Sequence, residues 1–360
     1  MQRNQDIIQR IKSELRKGIR QGLYTEGDPV PSELELAAKH GVGRALTRQA
    51  LRDLESEGLL LRSRGRRSTV APRAHWTRQP LQCTGAGIMA VAVPTYQSLY
   101  CRRILDGFNA EIGRAGYQAI TYTISFDEPS ETRFLAHVGN LGVSGLALWV
   151  QHESVQSAAM LEELLDRGMP LVLLDHRMEG VETDYVGTDN VLLGRMLTRS
   201  LLDRGHTRIG FLHDTYRLTS TRERAEGYRD ALAGAGLAQM PEIEGAFLQD
   251  TPEMESVLAA IMARRDKPTA FYCSHDTLAV AVAGHLARLG YTIPGDIELA
   301  TSDDDEFARQ HGLPMMLATQ PGLETGRQAA EMLLARMTNP DAPFERRLLT
   351  PEGGVVAYNL

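Results

Sequence analysis

Cysteine is scarce in this 360-residue chain: Cys83, Cys101 and Cys273 are the only three, far apart and without metal-site spacing. That excludes a disulfide scaffold and a zinc module, and the three read as reduced thiols. No apolar run approaches the ~18 residues of a membrane-spanning helix. The opening Met1-Gln-Arg-Asn-Gln-Asp6 is polar and leads into an amphipathic pattern, unlike a secretion signal. A cytoplasmic protein without membrane contact is expected. Two phosphate-cradling signatures are also missing. There is no Gly-x-x-x-x-Gly-Lys-Ser/Thr, and Gly85-Ala-Gly87 precedes a strand instead of following one. No cofactor is expected, and a nucleotide-dependent enzyme is disfavoured. Aromatics make up 6% of the chain, so the position of each one is informative.

Charge is unevenly spread. Residues 1–73 carry 15 Lys/Arg against 9 Asp/Glu, a charge of +6, and the overall −7 leaves −13 on the rest. A basic module on an acidic body fits a protein whose N-terminal part meets a polyanion.

Within 1–73, Ile7, Ile8, Ile11, Leu15 and Ile19 recur at helical spacing, predicting a helix over 5–21 that Gly22 stops. Ser32 with Glu35 three residues on is a capping box, opening a second helix to Lys39 that buries Leu34 or Leu36 with Ala37. After His40-Gly-Val-Gly43 a third helix is expected over 44–57, with Ala50, Leu51 and Leu54 inward and Arg44, Arg48 and Arg52 sharing the outer face. Leu59 to Val70 reads as a hairpin with a basic tip, Arg64, Arg66 and Arg67. Three short helices and a basic hairpin make an α+β winged helix-turn-helix. A helix fits the major groove, and guanidiniums on its exposed start reach base edges or phosphates. The expected DNA contacts are Ser32, Arg44, Thr47, Arg48, Arg64, Arg66 and Arg67.

The segment resembles the GntR family. The carriers are Gly22-x-x-x-x-Gly27-x-x-Val-Pro31-Ser32-Glu33, Leu36-Ala37, and Gly41-Val-Gly-Arg44-Ala-Leu-Thr47-Arg48-Gln-Ala-Leu51-Arg-Asp-Leu54-Glu-Ser-Glu-Gly58. Gly43 and Leu46 depart from the family's Ser and Thr, and Arg67 replaces the second wing glycine, so the family's usual operator is not implied.

Residues 74–86, with Pro72 just before them and Pro80 within and no periodicity, read as a linker in which Trp76 packs on a neighbour. Over 87–360, strand-like runs at 88–94, 119–125, 146–150, 171–175, 186–188, 209–212, 270–273 and 297–301 alternate with helical runs at 102–115, 154–168, 191–204, 222–235, 252–264, 277–289 and 323–337. Alternating β and α predicts parallel sheets covered on both faces, and this length predicts two lobes. Ligands bind such sheets beyond the carboxyl ends of the strands. Tyr96, Tyr100, Trp149, Asp175, His176, Arg177, Arg222, Arg224, His275, Asp303 and Gln320 fall at or after such ends, a set that suits a polyhydroxylated ligand. Asp189 and Asn190 read as caps, His206 as part of a turn, and Arg222 as a partner of Glu226.

This body resembles the LacI/GalR effector domain, itself similar to periplasmic binding proteins of type I. The carriers include Pro170-Leu-Val-Leu-Leu-Asp175, Val186-Gly-Thr-Asp189-Asn190, Arg224-Ala-Glu-Gly227-Tyr228, His275-Asp276 and Gly290-Tyr-Thr-Ile-Pro294-Gly-Asp296. The resemblance implies that Tyr100, Trp149 and Asp175 line the ligand, that Arg224 grips its hydroxyls or a carboxylate, and that Asp303 and Gln320 complete the pocket. His275 stands where an Asn is usual, and Arg177 lies one residue beyond a frequent Asp-Arg. The reading is a ligand-responsive DNA-binding transcription regulator, a repressor of homodimeric form, whose partners are an operator duplex and a sugar-like effector. The alternative is a non-transport sugar-binding protein or a nucleotide-dependent sugar-modifying enzyme.

Overall fold

The computed structural model describes residues 2–20, 22–61, 67–72, 87–94, 99–125, 127–213, 218–240, 242–245, 252–303 and 312–360. Residues 73–86, which hold Trp76, Cys83 and the whole of the expected linker, lie outside this set.

The N-terminal part is α1 (Gln2–Arg20), α2 (Glu33–His40), α3 (Arg44–Ser56) and an antiparallel pair, β1 (Leu60–Leu61) with β2 (Thr69–Val70). Ile8, Ile11, Leu15, Leu36, Ala50, Leu51 and Leu54 close one small core with Val30, Leu60 and Val70. Of the two leucines considered for α2, Leu36 is buried, and Leu34 stands 61% exposed. The capping box forms as the spacing predicts: Ser32 Oγ accepts the Glu35 amide, and Glu35 accepts the Ser32 amide at 2.7 Å. Such a cap contributes about 1 kcal/mol.

The remainder folds as two lobes. The first sheet is fully parallel, in the order β13–β7–β6–β5–β3–β4, built from β3 (Ile88–Pro94), β4 (Gln118–Ile124), β5 (Gly145–Trp149), β6 (Leu171–Leu174), β7 (Asp184–Thr188) and β13 (Arg346–Leu349). It is flanked by α4 (Leu99–Arg114), α5 (Glu128–Val138), α6 (Val155–Asp166) and α11 (Gly322–Thr338). The second sheet, β14–β12–β11–β10–β8–β9, joins β8 (Ile209–His213), β9 (Ile243–Glu244), β10 (Ala270–Cys273), β11 (Glu298–Asp303) and β12 (Met315–Thr319) in parallel, and β14 (Glu352–Tyr358) antiparallel on β12. Its helices are α7 (Asn190–Asp203), α8 (Thr219–Gly234), α9 (Pro252–Met262) and α10 (Asp276–Arg288). The inner strands β3, β5 and β6 read as near-continuous apolar runs because helices bury both faces of the sheet there.

The chain crosses between lobes after β7, after β12 and after β13. Asp189 N–H donates to the Leu349 carbonyl at 2.8 Å, tying two of the crossings together. Among the described residues no helix is long and apolar enough to cross a membrane. Cys101 and Cys273 are buried thiols that form no disulfide.

Candidate DNA-binding face and effector cleft

On the winged helix, Arg44 and Arg48 project from the first turns of α3, and Arg67 from the strand side of the wing, each about half exposed. Two glutamates of α2 hold them. Glu33 lies 3.1 Å from Arg48 and 3.7 Å from Arg44, and Glu35 lies 2.7 Å from Arg67. These arginines therefore form one face with α2. Thr47 does not share it. Its side chain is fully buried, with the hydroxyl 3.1 Å from both the Glu33 and Arg44 carbonyls. Thr47 lies on the edge of α3 that meets α2, and it fastens the two helices beneath the basic face. Ser32 is committed as the α2 cap. Arg64 and Arg66 lie outside the described residues.

The cleft is lined from both lobes. In the first, Tyr100 donates its hydroxyl to Asp175 at 3.0 Å and packs edge-on against Trp149, with ring centroids 5.5 Å apart. His176 also meets Trp149, with ring centroids 5.8 Å apart. Burial, with Asp175 adding to it, pushes the Tyr100 phenol well above its ordinary range. Trp149 also belongs to the lobe's core. In the second lobe, Arg224 is 5% exposed. Its Nε donates to Asn190 Oδ1 at 2.9 Å, and its Nη1 donates to the Ser274 carbonyl. Burial works against its charge, but Asp303 first, then Tyr272, Asp175 and Tyr100, outweigh that and raise its pKa. Asp303 accepts the Asp276 amide at 3.2 Å and the Gln320 side-chain amide. Gln320 Oε1 in turn accepts the Thr188 hydroxyl at 2.8 Å. Burial, then Asp303, pushes the Asp276 carboxyl above the usual carboxylate range.

Two glycines set this geometry. A Cβ on Gly227 would sit 2.1 Å from the Val191 carbonyl oxygen, and one on Gly194 would sit 2.2 Å from that of Arg224. α8 thus lies directly on α7, which is what brings Arg224 against Asn190.

Not every expected residue faces the cleft. His275 caps α10, its Nδ1 accepting the Leu278 amide. His275, Asp276 and Asp303 hold ligand-type atoms within 4.8 Å of one another. Arg224 already supplies positive charge beside Asp303, which disfavours a cation there. Arg177 turns out of the cleft to Glu223 of α8, and its amide donates to Thr219 Oγ1 at 2.9 Å. Arg346 reaches the same Glu223 at 3.4 Å. Arg222 bonds Glu153 across the lobes at 2.9 Å, not the Glu226 that the helical spacing offered. A groove of about 910 Å³ lined by Arg177, Arg222, Arg346 and Tyr185 runs along this seam, its guanidiniums engaged by Glu223 and Glu153. Tyr96 lies outside the described residues. Sequence reasoning missed Asn190 and Ser274 as parts of the site, and Glu223 as the anchor of the seam outside it. Asn190 carried only a helix-cap signal, and the other two depend on lobe packing. Asp189 does cap α7, accepting the Leu192 amide at 2.9 Å, and His206 is held locally by Thr269 at 3.0 Å.

A basic helix-and-wing face on one part and a polar cleft between two hinged lobes on the other define a DNA-binding regulator built on a ligand-sensing body. Comparison with known proteins gives the particular families. Residues 7–70 match the gntR family of bacterial regulatory proteins, and residues 198–356 match the periplasmic binding protein-like domain. The chain is 28% identical to the HTH-type transcriptional repressor PurR of Vibrio campbellii over 285 residues, covering 78% of this chain and 82% of the relative. It is 30% identical to the ribose operon repressor of Haemophilus influenzae over 185 residues, 51% of this chain and 55% of the relative. Among solved structures, the transcriptional regulator CelR–cellobiose complex superposes with a TM-score of 0.70 at 21% identity, over 92% of this chain and all of that one. A LacI family regulator from Enterococcus faecium with bound ribose gives 0.61 at 22%, over 75% of this chain and 96% of that one. The chain thus joins a segment that matches the gntR family to a body that matches the periplasmic binding protein-like domain over 198–356 and shares its fold with LacI family regulators.

Proposed function

We propose that the chain is a ligand-responsive transcription repressor of the cytoplasm, not an enzyme. It binds operator DNA through Arg44, Arg48 and the wing, and it senses a small polar metabolite, a sugar or sugar derivative, between its lobes. The observation that carries the sensor reading is the backbone of the two cleft aspartates. Asp175 and Asp303 have φ of 60° and 127°, and among the described residues only Asn359 is otherwise a non-glycine at positive φ. Non-glycine residues are held in such conformations where the surrounding structure fixes them for a task. Both carboxyls lie near enough to act on the Arg224 charge, an arrangement that sets acceptors near a guanidinium donor for vicinal hydroxyls. The relatives named as repressors support the regulator reading, and the structures carrying cellobiose and ribose support a sugar as its ligand. Domain limits of 1–73, 74–86 and 87–360 fit this division, and a homodimer would present two winged helices to paired half-sites.

The test is a thermal-shift screen of the full chain against pentoses, hexoses, sugar acids and nucleobases. A ligand that binds only the folded state raises the melting temperature. A selective rise that disappears in Arg224→Ala, with DNA binding intact, is the expected result. Loss of DNA binding in that variant with the ligand response kept would reverse the assignment.

A further inference from the structure

The winged helix rests on the sensor. α1 packs on α6 of the first lobe. Arg16 occupies the contact, held at 2.6 Å by Glu57, the C-cap of α3, and at 3.2 Å by Asp166, the last residue of α6. All three side chains are nearly buried. Lys12, one turn earlier, reaches the same Glu57 at 2.8 Å, and Lys17 reaches Glu182, in the segment after β6, at 3.1 Å. Burial raises the Glu57 pKa, but Arg16 and Lys12 outweigh it and hold the carboxyl below the usual range. A guanidinium withdrawn from water between two carboxylates is sensitive to losing either one, because the remaining charges are left poorly compensated.

α6 has a second engagement at its other end. Its N-cap Ser154 follows Glu153, the residue that holds Arg222 of the second lobe. Ser157, in its first turn, bonds the buried Glu131, which also accepts the Gln151 amide at 2.6 Å. A helix of 12 residues spans ~18 Å. One rigid element thus touches the seam between the lobes at one end and the DNA-binding domain at the other. We propose that α6 is the docking surface by which the sensor holds its own winged helix, that Asp166 is the positioning residue, and that this contact carries the state of the lobes to the DNA-binding face. The proposal rests on the regulator reading above.

The experiment is hydrogen exchange on the full chain, comparing Asp166→Asn with the wild type. Glu163→Gln, a charge-matched change on the same helix, is the control. The expected result is exchange over 7–19 faster by about threefold or more in Asp166→Asn alone, since releasing a contact lowers local protection. Unchanged exchange there, and in Glu182→Gln as a second variant, overturns the docking. DNA affinity is then read on a duplex enriched from a random pool by the wild-type chain. Asp166→Asn should shift the Kd by about fivefold or more, a typical coupling between sites, and Glu163→Gln should not. An unshifted Kd with accelerated exchange overturns the control role. Failure of the wild type to enrich any duplex overturns the regulator reading, and exchange still decides the docking.

Discussion

Asp276 carries a charge problem that the fold resolves with a proton. Buried beside Asp303, its carboxyl titrates above the ordinary range. The folded state therefore binds more protons than the unfolded chain once the pH exceeds the unfolded value of ~3.9, and stability falls as the pH rises from there toward the raised folded pKa. Asp276→Asn keeps an acceptor for Thr277, whose amide bonds Asp276 Oδ1 at 2.5 Å, and removes the titration. Its melting temperature should decline less than the wild type's between pH 5 and pH 8 (a span of about three units), and an identical decline would sink the assignment. The basic face gives a paired test. Arg48→Ala should make the salt dependence of DNA binding shallower by about one phosphate's worth. Thr47→Ala should leave that slope alone and cost about 1 kcal/mol of stability, the usual worth of a lost internal hydrogen bond. Thr47 also shows where reading residue by residue stops. The motif placed it on the recognition helix, and only the helical phase relative to α2 turns it inward.

Elements with strong periodicity were legible, and three of the four edge strands were not. α1 to α3 and the central strands other than β12 follow the apolar spacing closely. α5, β9, β12, β13 and β14 were not anticipated. β13 is Arg-Arg-Leu-Leu and β14 contains Gly353-Gly354 with both at positive φ. Such edge strands take their pairing from a neighbour already in place, so little of it is written in local pattern. Likewise the paired glycines of α7 and α8 read as family motif until their contact was seen. Gly227→Ala should push α8 off the Val191 backbone. Overpacking of this kind costs roughly 1–3 kcal/mol, and the melting temperature should fall by several degrees. Because Arg224 moves with α8, the ligand-induced rise should weaken as well. A fall in melting temperature with an intact ligand response would show that Arg224 does not depend on this packing.

Across the whole molecule, the lobes are held together by a seam of ion pairs that no linear reading would assemble. Arg177 and Arg346 come from the first lobe, yet both converge on Glu223 of the second, and Arg222 of the second reaches back to Glu153. The guanidiniums are one-third to one-half exposed. Each pair is therefore worth little alone and is screened by salt. Together they bias the closed arrangement, in which Tyr100 and Asp175 lie close enough to act on Arg224. A ligand that needs this arrangement binds with an apparent Kd equal to its intrinsic value divided by the closed fraction. Glu223→Gln weakens two of the three links and touches neither the cleft nor the basic face. It should lower the closed fraction, enlarge the radius of gyration in solution scattering, and weaken effector binding by several-fold without changing which effector is selected. High salt should reproduce that loss in the wild type and have less effect on the variant. Equal salt sensitivity in both proteins would mean that the seam does not set the balance between open and closed lobes, and that closure is governed by the three crossings alone.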